Sequence, residues 1–179
     1  MNYSLNLNYT LENMQKYASQ DIKEKIDEVV AIIKNIKPTS PYYPKNVSLI
    51  EFKDVSLFGL KGNITLFFIK NINGEIKEFS ANFISTESVG RDILHNYIEF
   101  SAREFSEESL NHLRAGKKML LASISHKTSR RAGRDPQALS RYTLSAKREN
   151  DGSFSVVPLI EENPSGCICT PTFCECESL

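Results

Sequence analysis

The chain has 179 residues, 40% of them hydrophobic, and its 22 basic and 22 acidic side chains cancel. That length suits one domain or slightly more with a true core, and zero net charge excludes a uniform polycation or polyanion. The charge is nonetheless segregated: residues 1–112 carry 12 basic and 15 acidic groups (net −3), 113–148 carry 10 and 1 (net +9), and 149–179 carry 0 and 6 (net −6). Such asymmetry points to an anionic partner, or to an acidic tail folded back on a basic face.

Thr10 is placed to cap a helix running to about Lys37, with Leu11, Met14, Ala18, Ile22, Ile26, Val29, Ile33 and Ile36 on a single face. Asp21 with Lys25 and Lys23 with Asp27 form i,i+4 pairs on its wet side. Such a face packs on a sheet or on a coiled-coil partner. Pro38, Pro41 and Pro44 end the helix and stiffen the connector. Segments 47–52, 55–58, 64–70 and 75–84 read as strands, with Asn73-Gly74 as a hairpin turn. Residues 64–69 are apolar on both faces, which predicts a central strand.

Thr86 is placed to cap a second helix, with Val89, Ile93, Leu94, Tyr97 and Ile98 on one face. Ser106 caps a third, carrying Leu110 and Leu113 and ending at Gly116. Segment 119–125 reads as a strand, and 141–147 and 153–159 as a hairpin across Asn150-Asp151-Gly152. Pro158 marks that last strand as an edge. The expected fold is α+β: an N-terminal amphipathic helix, an antiparallel meander, helices, and a second antiparallel strand group. Residues 1–160 form this domain, and 161–179 read as a polar linker with a disordered, Cys-rich tail.

The N-terminus MNYSLNLNYT has no positive n-region and no apolar h-region, so no secretory signal is read there. The longest apolar stretches are too short to span a bilayer. Both point to a cytoplasmic chain at synthesis.

A basic segment surrounds residues 126–141. His126, Lys127, Arg130, Arg131, Arg134 and Arg141 form a candidate anion-binding loop, since guanidinium groups grip phosphate bidentately. Tyr142 offers a ring on which a base could stack. His126 with Arg130 and Arg134 also suits an RNase-like site, with the imidazole as acid/base and the arginines on phosphate. A solvated loop, or one neutralised by the acidic tail, is the bland alternative. His95 reads as structural on its predicted helix, and His112 as a helix-surface residue. No Ser-His-Asp set, Gly-rich phosphate loop or HExxH pattern occurs, which favours a substrate or binding protein over an enzyme.

All four cysteines lie in GCICTPTFCECESL, residues 166–179. Cys167, Cys169, Cys174 and Cys176 make a C-x-C-x4-C-x-C pattern. Four thiolates would suit zinc, or Cu(I), which accepts soft ligands in low coordination. Apart from that alternative, no cofactor is implied. Acidic neighbours Glu175 and Glu177 disfavour an activated thiolate, and pairing Cys167 with Cys169 or Cys174 with Cys176 would close strained rings.

The stretch Cys169-Thr170-Pro171-Thr172-Phe173-Cys174-Glu175-Cys176 resembles the C-T-x-T-x-E-C ending of mersacidin-type lanthipeptide precursors. Glu175 stands one position after the Glu of that pattern, with Cys174 in its place. The resemblance implies that Thr170 and Thr172, and secondarily Ser165 and Ser178, are dehydrated and that the cysteines add to the resulting alkenes as thioethers. A heterocycle-bearing product is the related outcome. It further implies release near Gly166 (Ser165-Gly166 being the nearest match to a double-Gly site), a modifying enzyme and an exporter/protease as partners, and an exported, antimicrobial tail.

Overall fold

In a computed structural model, residues 2–35, 47–106, 111, 113, 118–129, 137–162, 167–170 and 173–176 are described. The expected single N-terminal helix is two helices, α1 (Leu5–Tyr17) and α2 (Gln20–Lys34). Ala18 and Ser19 between them are extended. Each helix starts on a serine: Ser4 Oγ accepts from the Leu7 N–H at 3.0 Å, and Ser19 Oγ from the Ile22 N–H at 3.5 Å. Thr10 is therefore no cap. It sits inside α1, fully buried, and its hydroxyl donates to the Arg103 carbonyl at 2.9 Å. The apolar face survives the break, because Leu7, Leu11, Met14, Ala18, Ile22, Ile26, Val29 and Ile33 are all buried. The Asp21–Lys25 pair forms at 3.1 Å. The proline connector lies outside the described residues.

Seven strands follow, and they form one sheet: β1 (Val47–Leu57), β2 (Leu60–Lys70), β3 (Ile76–Val89), β4 (Asp92–Arg103), β5 (Met119–Ser129), β6 (Gln137–Arg148) and β7 (Phe154–Glu162). Their order in the sheet is their order in the chain, and every neighbouring pair is antiparallel. The meander and the expected second strand group are thus one continuous layer. The two strands read before Asn63 are one, β1, with a register shift between Phe52 and Val55 and Asp54 at positive φ. Leu57 pairs with Leu60 across Phe58-Gly59, both at positive φ. That strained Phe58 is held by α2: its N–H donates to Glu28 Oε2 at 2.7 Å, and the Lys25 ammonium lies 5.9 Å from its ring centroid.

The hairpins expected at Asn73-Gly74 and Asn150-Asp151-Gly152 join β2 to β3 and β6 to β7. The Asn71 carboxamide oxygen accepts from the Asn73 and Glu75 N–H groups at 3.0 and 2.9 Å, fixing the first turn. Asp151 does the same for the second, accepting from the Ser153 N–H at 2.9 Å. β2 is paired on both sides, as a central strand should be, although Phe67 on its outer face is partly exposed. β7, with Pro158, is an edge.

The helix expected from Thr86 is absent. Those residues form the end of β3, a Gly90-Arg91 turn and the start of β4, with Val89 opposite Asp92. Leu94, Tyr97 and Ile98 do have helical spacing, but Asn96, Ile98, Phe100 and Ala102 alternate as a buried strand face. Aromatic and β-branched residues there favour the pleated alternative. Of the third expected helix, Asn111 and Leu113 are helical and Leu113 is fully buried; Leu110 and Gly116 lie outside the described residues.

α1 and α2 cover one face of the sheet. Beneath them lie Ile64, Leu66 and Phe68 of β2, Phe79 and Phe83 of β3, Ile98 and Phe100 of β4, Ile124 of β5, and Tyr142 and Leu144 of β6, all buried. Each such side chain contributes roughly 1.5–3 kcal/mol of transfer free energy. Phe79 and Phe100 pack tilted with centroids 5.2 Å apart. Residues 2–4 extend this layer, with Tyr3 bridged to Ile76 in parallel. The fold is α+β, with its helices at the N-terminus. No described helix is long and apolar enough to cross a membrane.

Candidate functional site

The cysteine tail is not without regular structure. Cys167–Thr170 (β8) and Phe173–Cys176 (β9) pair antiparallel in a two-stranded sheet of their own. Strands of four residues carry too little alternation to be read from sequence. The register sets Cys167 opposite Cys176, Ile168 opposite Glu175, Cys169 opposite Cys174, and Thr170 opposite Phe173. Successive positions in a strand alternate between faces, so the four cysteine positions share one side of the hairpin. Ile168 pairs with Glu175 and Thr170 with Phe173, so among the described residues of the tail the one threonine position is not registered against a cysteine. Gly166, Thr172 and Ser178 lie outside the described residues, as do Ser165 and Glu177.

The basic segment divides. Arg130, Arg131 and Arg134, and likewise Lys117 and His112, lie outside the described residues. His126 is on β5, opposite Ile98 of β4 and Ser140 of β6, on the face that packs under the helices. Its Nε2 is 3.0 Å from the Asn96 carboxamide oxygen, and Asn96 Nδ2 donates to Glu87 Oε1 at 3.1 Å. Asn96 is buried, so this chain of contacts satisfies a polar group where the apolar face ends. Burial holds the His126 imidazole below its ordinary pKa; Lys25 adds to the effect, while Asp21 and Glu87 oppose it.

Lys127 and Arg141 occupy the opposite face. Lys127 Nζ is 4.0 Å from Glu99, and Arg141 Nε donates to Glu161 at 2.8 Å. Glu161 belongs to the acidic C-terminal stretch, so at Arg141 the acidic segment does fold back on a basic position. Within residues 126–141 both described cations, Lys127 and Arg141, therefore have carboxylate partners, and His126 is separated from them by the thickness of the sheet. Tyr142 is fully buried and its hydroxyl donates to the Met14 carbonyl at 3.3 Å; it is a core residue, with no face open for base stacking. Desolvation, with a smaller contribution from Tyr17, pushes its phenol up to about 12. His95 is on β4, opposite Thr86 and Ser129, and not on a helix.

Asn96 and Glu87 were not singled out from sequence. The one available signal was a polar Asn at an alternating position otherwise held by Ile98, Phe100 and Ala102.

Comparison with protein families, curated proteins and solved structures finds no match, so a functional reading rests on this chain's own residues.

Proposed function

We propose that the chain is a ribosomally synthesised precursor. Its folded part is a cysteine-free recognition body, and its Cys/Thr segment is the substrate of a modifying enzyme. The observation that supports this reading is segregation: every cysteine of the sequence lies in a small hairpin that is its own sheet, beyond the seven-stranded layer. A thiol-free body cannot compete for ring closure.

In this reading the enzyme removes water from Thr170 or Thr172, leaving an alkene. A cysteine thiolate adds to the β-carbon and the α-carbon takes up a proton, so each thioether leaves the chain one water lighter. The register sets Thr170 against Phe173 and not against a cysteine, so a ring from Thr170 to a cysteine of the opposite strand needs the enzyme to open the hairpin. A protease then releases the segment near Gly166, after synthesis in the cytoplasm. The test is the intact mass of the protein from its native host, reduced and alkylated under denaturing conditions. Loss of one water per modified threonine with fewer than four alkylatable thiols is the expected result; an unmodified mass with four free thiols would overturn the reading.

A second reading is favoured by one feature, the placement of all four cysteine positions on one side of the hairpin. It is a thiolate site for zinc or Cu(I). It predicts that protein purified under reducing conditions carries metal in ratio to four thiols and releases it on acidification.

A further inference from the structure

The hairpin register says which thiols are partners. Thr170 and Phe173 are opposite each other, with two residues between them in the sequence. In an antiparallel ladder the pair that closes a two-residue connection is a hydrogen-bonded pair, and hydrogen-bonded and non-hydrogen-bonded pairs then alternate outward. Ile168 and Glu175 thus take the next hydrogen-bonded site, and both cysteine pairs fall on non-hydrogen-bonded sites. At such sites the two Cα atoms approach to about 4.5 Å, the closer of the two spacings. A disulfide spans Cα separations of roughly 4.4–6.8 Å, so both registered pairs are within reach with no movement of the backbone.

The competing pairs are worse. Diagonal partners, Cys167 with Cys174 or Cys169 with Cys176, are separated by about 7–8 Å, beyond the reach of an unstrained bridge. Same-strand partners, Cys167 with Cys169 or Cys174 with Cys176, are two rises of about 3.3 Å apart along an extended backbone, at the far limit of that range. Glu175 is registered with Ile168 and so takes the other side of the hairpin from the cysteine positions. This weakens the objection that its charge suppresses thiolate formation.

We propose that the hairpin is a two-rung redox ladder that closes as Cys167–Cys176 and Cys169–Cys174. Each rung forms by thiol–disulfide exchange with a low-molecular-weight disulfide. One cysteine thiolate attacks the small disulfide, releases one small thiolate and leaves a mixed disulfide. The registered partner then displaces the second small thiolate. The rung loses two electrons and two protons, and the small disulfide becomes two small thiols. The inference rests on the register alone. It does not require dehydration of any threonine, and a disulfide, unlike a thioether, reopens under reductant.

The experiment uses the full chain produced in a heterologous bacterium, away from any dedicated modifying enzyme, with its intact mass showing that no water has been lost. The reduced protein is equilibrated in buffers of graded oxidised-to-reduced glutathione, quenched in acid, alkylated and weighed. Two matched variants, C169S/C174S and C167S/C176S, each retain one registered pair. Two mismatched variants, C167S/C174S and C169S/C176S, each retain one diagonal pair. The matched variants should close an intramolecular disulfide at a glutathione ratio at least tenfold less oxidising than the mismatched ones. Equal midpoints, earlier closure of the mismatched pairs, or mixed disulfides with glutathione in place of closure would overturn the ladder. None of these outcomes depends on what the native host does to the threonines.

Discussion

Tyr142 joins the sheet to the helices, and removing it in two steps tests the core directly. The ring is fully buried, and its hydroxyl reaches the Met14 carbonyl at 3.3 Å. That carbonyl also accepts the Ala18 N–H at 3.0 Å, the bond that ends α1. Tyr142→Phe therefore leaves no orphaned acceptor, and its cost should be that of one long hydrogen bond, about 0.5–1 kcal/mol. Tyr142→Ala removes the ring as well and opens a cavity under α1, at about 3–5 kcal/mol. Urea unfolding of the full chain under reducing conditions measures both, as shifts in midpoint at constant slope. A third arm uses pH. The phenols of Tyr142 and Tyr3 are both raised from 10.0 to about 12, chiefly by burial. The unfolded chain loses these protons first, so stability is intact below pH 10 and falls as pH rises through about 12. The double substitution Tyr3→Phe/Tyr142→Phe should flatten that fall. A Tyr142→Ala variant within about 1 kcal/mol of the parent would refute the reasoning, because a ring that costs so little to remove is not core.

Other consequences are quick to check. His126 should titrate below 6.5 by NMR; because its folded pKa is depressed, its contribution to stability is present above that value and is lost as pH falls, and His126→Phe should remove this step from an acid unfolding series. Gly62→Ala should cost about 3 kcal/mol or prevent folding, since a Cβ there would lie 2.2 Å from the Ile84 carbonyl oxygen, which cannot move without breaking the ladder to β3. Tyr3→Phe should be neutral or stabilising by up to about 1 kcal/mol, because its buried hydroxyl has no hydrogen-bond partner among the described residues. Ser19→Ala should cost about 1 kcal/mol through loss of the α2 cap, read by thermal or urea unfolding.

The parts of this fold that were legible are those where one local rule acted alone. Asn73-Gly74 and Asn150-Asp151-Gly152 marked turns because each ends on a glycine, Gly74 and Gly152, that supplies the positive φ, and Pro158 marked an edge because it donates nothing to a ladder. The buried face of the N-terminal helices was read correctly from Leu11 to Ile33, yet their break was invisible. The four-residue step from Ala18 to Ile22 keeps the apolar stripe in phase across two extended residues, and Ser19 has no signature that separates a cap from a helix-surface serine. β4 was misread because its edge-facing and core-facing apolar residues, Ile93, Leu94, Tyr97 and Ile98, coincide with a helical stripe. Periodicity cannot choose between the two when both faces of a strand carry hydrophobic side chains. At the site, the cysteine composition was evident, but its pairing was not. A C-x-C-x4-C-x-C pattern becomes two cross-strand pairs only when Cys169 stands opposite Cys174, and that is a property of the register.

The most direct test of the central claim is tandem mass spectrometry of the tail peptide isolated from the native host, after reduction and alkylation, with fragmentation across residues 167–179. A processed precursor has a water lost at Thr170 or Thr172 and at least one of Cys167, Cys169, Cys174 and Cys176 protected from the alkylating agent. A tail with both threonines intact and all four cysteines alkylated would contradict that claim.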